Sequence, residues 1–322
     1  MPFFCYICVI MKKTLSILAA LAASLIAAAQ NYGMVDISVC NMRETPNYSA
    51  EMVSQALLGT PVEILQYGGD YNWPEVKTPD GYTGWVHKDA IVAMSKEQLH
   101  EWNHGPQAVV TSLMGLVHEA PSAKSKVVSD VVAGDRLRLL GKCGKYLKVG
   151  FPGGRTGYIS KADAKELEAW RKGIDRSAEA ILETALSMRG FPYIWAGISP
   201  KGMDCSGFVR AVLFMHDVIG PRDSGPQSRT GERINGKDAL QRGDLVFFGR
   251  WDGDNARVSH VGFYLGEGRF IHSLGLVKIG SFRPEDPLYD AYNTGRYLFG
   301  SRVIPFTDPN YSTTLTNPLY TL

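Results

Sequence analysis

The same run of short strands and turns is written twice in the first half of the chain, and that repetition limits the possible fold more than any other feature. In the first copy, Leu57-Leu58-Gly59-Thr60-Pro61-Val62-Glu63-Ile64-Leu65 reads as a turn entering a strand, and Asp70 to Val76 starts another. Pro79-Asp80-Gly81 marks a hairpin, and Tyr82-Thr83-Gly84-Trp85-Val86 closes the unit. In the second copy, Val131 to Leu140 and Gly144 to Val149 stand for the two strands, and Gly153-Gly154-Arg155-Thr156-Gly157-Tyr158-Ile159 for the close. Short strands bounded by Gly, Pro, Asn and Asp, repeated after roughly sixty residues, suit small β-barrels. The spacing predicts one barrel over 30–95 and a second over 105–165, with Trp85 and Tyr158 in their cores. The charged stretch Lys161 to Lys172 reads as a linking helix.

Beyond it the period changes. Ser177 to Arg189 carries apolar residues at Ala178, Ile181, Leu182, Ala185 and Leu186, an amphipathic helix ended by Gly190 and Pro192. Phe208 to Met215 suits a buried helix, and a Gly-, Pro- and Arg-rich loop, Gly220 to Gly236, follows it. Strand-like segments come next: Asp244 to Phe248, Ser259 to Leu265, Arg269 to Leu274 and Tyr297 to Val303. Helices first and strands afterwards predict an α+β domain over 175–305 with an antiparallel sheet. The tail, 306–322, is polar and shows no readable element.

Residues 1–29 read as a signal peptide whose true start is Met11: Lys12-Lys13, an apolar run from Thr14 to Ile26, then Ala27-Ala28-Ala29 before Gln30. Cleavage between Ala29 and Gln30 and export to the periplasm are expected. Net charge is +2 in 322 residues, which leaves no electrostatic case for a nucleic-acid partner. No phosphate loop or metal-ligand spacing occurs, so neither a cofactor nor a metal is expected, and the chain is read as a monomer.

The chemistry centres on Met203-Asp204-Cys205-Ser206-Gly207-Phe208. Asp204 is a good helix N-cap and puts Cys205 in the first turn, where unpaired N–H groups and the positive dipole end favour a thiolate. A nucleophilic thiol needs a base, and the base needs an orienting partner. His260 and His272 lie on strands joined by the tight turn Gly266-Glu267-Gly268, so antiparallel pairing can bring both imidazoles to one face.

Five segments in order resemble the successive motifs of the NlpC/P60 cysteine peptidases: Pro192 to Gly197, Asp204 to Val209, Gly243 to Phe248, His260 to Gly266 and Phe270 to Ser273. Ala196 departs from the Gly of many relatives. The two repeats resemble bacterial SH3 domains through their Thr-Gly-aromatic endings. The resemblance implies a papain-like α+β core that cuts cell-wall peptides between D-γ-glutamate and a diamino acid. It implies Cys205 as nucleophile, His260 as general base and His272 as the residue orienting it. The whole layout resembles γ-D-glutamyl-L-diamino acid endopeptidases acting on murein peptides with a free N-terminal L-Ala. That likeness carries over Tyr193, Trp195, Asp204, Ser206, Arg222, Asp223 and Ser224 as pocket residues. Asp223 would meet the substrate ammonium, and Glu44 and Tyr82 of the first SH3-like unit would close that end. The backbone N–H of Cys205 is the first expected oxyanion donor. Two other readings stand beside this one: a wall-binding protein with an inactive peptidase domain, and an amidase or acyltransferase on the same fold.

Overall fold

The computed structural model describes residues 31–322, so the expected signal segment and its cleavage point lie outside the described residues. Seven short strands form the first unit: β1 (Tyr32–Val35), β2 (Val39–Arg43), β3 (Met52–Leu57), β4 (Pro61–Gly68), β5 (Trp73–Lys77), β6 (Thr83–Trp85) and β7 (Ile91–Met94). Seven more form the second: β8 (Gln107–Val110), β9 (Met114–His118), β10 (Val127–Val132), β11 (Arg136–Cys143), β12 (Tyr146–Gly150), β13 (Thr156–Ser160) and β14 (Ala164–Glu166). The spatial orders are β3-β2-β6-β5-β4-β1-β7 and β10-β9-β13-β12-β11-β8-β14. Adding seven to each number of the first gives the second, so the sequence repeat is a repeat of topology.

Two details differ from the sequence reading. Trp85 and Tyr158 are only half-buried, while their neighbours Val86 and Ile159 fill the cores. Side chains alternate along a strand, so only one of two adjacent residues can face inward; Trp85 instead lies over Gly68. The Lys161–Lys172 segment also begins as a strand rather than a helix. β14 pairs with β8 and covers an otherwise open edge, and only Leu167–Lys172 is helical. A further helix between the barrels, Lys96–His104, is held by a Ser95/Gln98 capping box and buries Leu99 and Trp102.

The barrels interlock. Leu58 of the first belongs to the core of the second, and its N–H donates to Asp135 Oδ1 at 3.1 Å. Gly59, at φ +74°, makes this approach possible: a Cβ there would sit 2.3 Å from the Arg136 carbonyl oxygen.

The remaining domain is α+β. Its helices Ala178–Ser187 and Cys205–Phe214 pack on an antiparallel sheet. The strands are a small hairpin, β15 (Ile198–Ser199) and β16 (Gly202–Met203), then β17 (Glu232–Ile234), β18 (Leu245–Asp252), β19 (Asn255–Gly266), β20 (Arg269–Leu274), β21 (Leu276–Ser281) and β22 (Tyr297–Arg302). The main sheet runs β17-β22-β18-β19-β20-β21. Phe208, Val209 and Val212 on the buried side of the Cys205 helix meet Phe247, Val261, Phe263 and Ile271 of the sheet.

The polar tail ties all three units together. Ser312 pairs with Ile219, the Thr314 N–H donates to Asp217 at 2.9 Å, and Asn317 Nδ2 donates to the Pro79 carbonyl at 2.8 Å. Tyr320 is 5% exposed, with the Arg136 guanidinium 4.6 Å from its ring centroid. Removing a buried aromatic side chain costs about 3–5 kcal/mol. Tyr320→Ala is therefore expected to lower the unfolding free energy by about 3 kcal/mol, measured by urea denaturation. An unchanged midpoint would show the tail to be dispensable.

Candidate active site

Asp204 is the N-cap of the Cys205–Phe214 helix, its Oδ1 accepting from the Gly207 N–H at 2.7 Å. The Ser206 hydroxyl donates to the same oxygen at 3.1 Å. Both residues are gripped by Arg222. Nη2 donates to Asp204 Oδ2 at 2.6 Å, Nη1 to Asp204 Oδ1 at 3.1 Å and to Ser206 Oγ at 3.0 Å, and Nε to Ser54 Oγ of the first barrel at 3.1 Å. The pair is bidentate and buried, so it fixes direction as well as charge.

His260 on β19 and His272 on β20 are not directly opposed; the register sets Gly262 across from His272. With a period of two, His260 and Gly262 share the face that bears His272. A Cβ on Gly262 would lie 3.0 Å from that of His272, so the glycine leaves the diagonal open. The rings meet edge to face, with His260 Nε2 and His272 Nδ1 2.7 Å apart. Behind them, His272 Nε2 faces Asp290 Oδ2 at 3.7 Å, beyond hydrogen-bond length. Asp290 is the N-cap of the Ala291–Arg296 helix and is held by Asn293 through both its main-chain and side-chain nitrogens. The carboxylate favours a proton on His272 Nε2. That leaves His272 Nδ1 to accept from His260 Nε2–H, and so leaves His260 Nδ1 bare.

A cavity of about 750 Å³ gathers Cys205 and His260 with Tyr193, Trp195, Asp204, Ser206, Asp223 and Ser224. Glu44 and Tyr82 of the first barrel line it as well, so sequence-distant candidates share one space. Arg222 is the exception. It is 2% exposed and does not line the cavity; its donors are spent on Asp204, Ser206 and Ser54. His272 is fully buried behind His260. Sequence reasoning missed Glu51, Tyr292 and Arg296, which line the cavity, and Asp290. Glu51 was within reach: the Pro46–Asn47 turn folds it back onto Glu44, whose N–H donates to the Glu51 carbonyl at 3.0 Å. Ala196 sits at φ 60°, the left-handed region glycine adopts without strain.

Electrostatics correct one expectation. Burial pushes the Cys205 thiol up to about 11, with Asp204 adding to it, against the N–H groups of Val261 and Ser206. The N–H groups at the helix start do not by themselves make a thiolate here, because burial outweighs them. Deprotonation therefore falls to a base. Burial, then the neighbouring His272 and Arg296, lower His260 to about 3, and burial lowers His272 to about 4. Both rings are neutral at physiological pH. Burial raises Tyr193 to about 12, which keeps its phenol a donor beside the thiol. Burial also raises Asp223, against the pull of Arg222, and Tyr82, which lines the cavity with it, offsets part of that rise.

Residues 190–297 match the NlpC/P60 family, and 38–92 and 115–165 match the bacterial SH3 domain. The chain is 33% identical over 229 residues to the γ-D-glutamyl-L-lysine dipeptidyl-peptidase of Bacillus cereus, covering 69% of this chain and 67% of that one. It is 30% identical to the protein of the same name from Bacillus subtilis, covering 68% and 71%. Among solved structures, an NlpC/P60 family protein from Bacillus cereus superposes with a TM-score of 0.72 at 27% identity, covering 84% of this chain and 99% of the other.

Two outcomes follow from the histidine pair. Unfolded imidazoles titrate near 6.5, whereas His260 and His272 titrate at about 3 and about 4. Between these values the unfolded chain binds more protons, so stability falls as pH drops below about 6.5. The slope from these two rings approaches about 1.4 kcal/mol per pH unit for each. Urea unfolding between about pH 7 and 5 should show this, with a shallower slope in the His260→Gln/His272→Gln double variant. His216, also lowered by burial, leaves a residue of the effect. An unchanged slope in the double variant would refute the neutral pair. Separately, Asp290→Asn keeps the helix cap but reverses the tautomer preference at His272. It should lower kcat about tenfold or more with KM little changed; a wild-type kcat would remove Asp290 from the relay.

Proposed function

This chain belongs to the NlpC/P60 family of cell-wall peptidases and carries two bacterial SH3 domains ahead of a papain-like core, and from that premise we propose that it hydrolyses the bond between D-γ-glutamate and a diamino acid in murein peptides with a free N-terminal L-Ala. One observation carries the finer part of this reading. The cavity that holds Cys205 and His260 ends, on the first barrel's side, in Glu44, Glu51, Tyr82 and Asp223. Three acidic residues lining one end of the cavity suit an α-ammonium, whose charge an acylated N-terminus would not supply. The name of the two Bacillus relatives, γ-D-glutamyl-L-lysine dipeptidyl-peptidase, agrees with release of an N-terminal dipeptide.

In the proposed reaction, Cys205 Sγ attacks the γ-carbonyl carbon of D-glutamate while its proton passes to His260 Nδ1. The negative charge forming on the carbonyl oxygen is met by the Cys205 N–H and, beside it, by the Tyr193 hydroxyl. His272 Nδ1 holds the ring through the His260 Nε2–H, and the Asp290 carboxylate favours the imidazolium that forms. Collapse breaks the C–N bond, and the departing amine takes the proton from His260. Water, deprotonated by the same ring, then cleaves the thioester. The signal-like N-terminus supports the proposal that this occurs outside the cytoplasm, on soluble wall fragments.

Mass spectrometry of L-Ala-γ-D-Glu-diaminopimelate incubated with the protein tests the reading. L-Ala-γ-D-Glu and free diaminopimelate should appear with wild type and not with Cys205→Ala. Asp223→Asn should lower kcat/KM on this peptide by roughly fivefold, the scale of a half-exposed charge pair, and narrow the gap to an N-acetylated peptide. Cleavage of the acetylated and free peptides at equal rates would sink the ammonium-pocket reading. No cleavage of either would turn attention to a wall-binding role.

A further inference from the structure

The proposed function accounts for one wall of the cavity. The other wall comes from the β18–β19 hairpin and the Ala291–Arg296 helix, and contributes Val258, Ser259, Tyr292 and Arg296. Arg296 is the last residue of that helix and is half-buried. Its Nη2 donates to Ser259 Oγ at 2.5 Å, and its guanidinium lies 4.6 Å from the centroid of the exposed Tyr292 ring. Among the described residues no carboxylate is ion-paired with it, and its other guanidinium nitrogens make no hydrogen bond within the protein. A cation held in place by a hydroxyl and an aromatic face, with donors left over, is built to receive an anion.

The charges also order the cavity. Ser259, which holds Arg296, directly precedes His260 on β19, whereas Glu44, Glu51 and Tyr82 come from the first barrel. Arg296 thus lies on the histidine side of the nucleophile and the carboxylates on the barrel side. A peptide anchored by its ammonium at Glu44, Glu51 and Asp223, with its scissile carbonyl at Cys205, must run its leaving half toward Arg296.

We propose that Arg296, steadied by Ser259 and Tyr292, forms a subsite for a carboxylate on the amino acid released from the leaving side of the scissile bond. This rests on the peptide reading above and extends it to the part of the substrate that reading leaves open. Two sources present the same chemistry: the terminal α-carboxylate of a tripeptide, and the side-chain carboxylate of a diamino diacid. Either would engage the free guanidinium nitrogens in a charge-assisted pair.

The test is calorimetric binding to Cys205→Ala protein, in which the substrate persists. Three peptides are compared: L-Ala-γ-D-Glu-L-Lys, its C-terminal amide, and the diaminopimelate peptide amidated at its main-chain carboxyl. If the α-carboxylate is the ligand, the lysine acid binds roughly tenfold tighter than both amides. If the side-chain carboxylate is the ligand, the diaminopimelate amide binds roughly tenfold tighter than both lysine peptides. In either case Arg296→Gln, added to Cys205→Ala, removes the difference, and Arg296→Lys restores part of it. Equal binding of all three peptides with Arg296 present overturns this inference alone, as does a preference that survives Arg296→Gln. Failure of all three to bind overturns the substrate reading and this inference with it.

Discussion

The buried pair between Arg222 and Asp204 is the constraint on which the site depends. Asp204 caps the nucleophile helix through Gly207, so its position sets the start of that helix and the place of Cys205. Its second oxygen is held by Arg222 at 2.6 Å, and the same guanidinium reaches Ser54 in the first barrel. One side chain therefore joins the nucleophile's cap, the loop carrying Asp223, and the barrel carrying Glu44 and Tyr82. Removing either partner would leave a charge without compensation in a space that excludes water, a loss of about 3–5 kcal/mol. The pair contributes to the site by geometry; neither charge of the pair needs to contact substrate for it to do so.

Around that node the chemistry is arranged by small permissions of the backbone. Gly262 lets two imidazoles on neighbouring strands meet on a diagonal, and Gly59 lets two barrels share Leu58. The histidine relay is then directional, because the carboxylate at one end assigns each ring nitrogen a different task and leaves His260 Nδ1 unclaimed in a ring that lines the cavity with Cys205. Burial keeps both rings neutral at rest, so the positive charge arises only when the thiol is deprotonated.

The cavity is a product of docking rather than of one domain. Its acidic wall joins Glu44 and Glu51 of the first barrel to Asp223 of the peptidase domain, and its basic wall is the helix after β21. The barrel is held by several unrelated contacts. Gln55 Oε1 accepts from the Ile198 N–H at 3.0 Å, Lys201 bridges Ser38 and Asp130, and Arg210 of the nucleophile helix approaches Asp80 at 2.8 Å. The last is an ion pair without hydrogen-bond alignment, since Asp80 Oδ2 makes no hydrogen bond. The second barrel and the C-terminal tail brace this arrangement through Asp135, Arg136 and Tyr320.

Much of this was legible in the chain. The repeat, the α+β order, the capped Cys205 helix and the hairpin carrying His260 and His272 all follow from periodicities of two and 3.6 residues and from turn chemistry, which act over neighbours in sequence. What stayed hidden has a common cause. Trp85 against Val86 is a choice of strand face. β14 is a strand because β8 has an open edge. Arg222 supports the site from outside the cavity because its partners lie in two domains, and Glu51, Asp290 and Arg296 matter only through what folds against them. The sequence by itself determined which elements form and which residue types carry the chemistry, since those are local free-energy preferences. Only the tertiary structure decided which side chains face the cavity, which thiol and imidazoles are desolvated, and where the two charged walls stand, because burial and Coulomb energies depend on distances between segments that the chain's order does not specify.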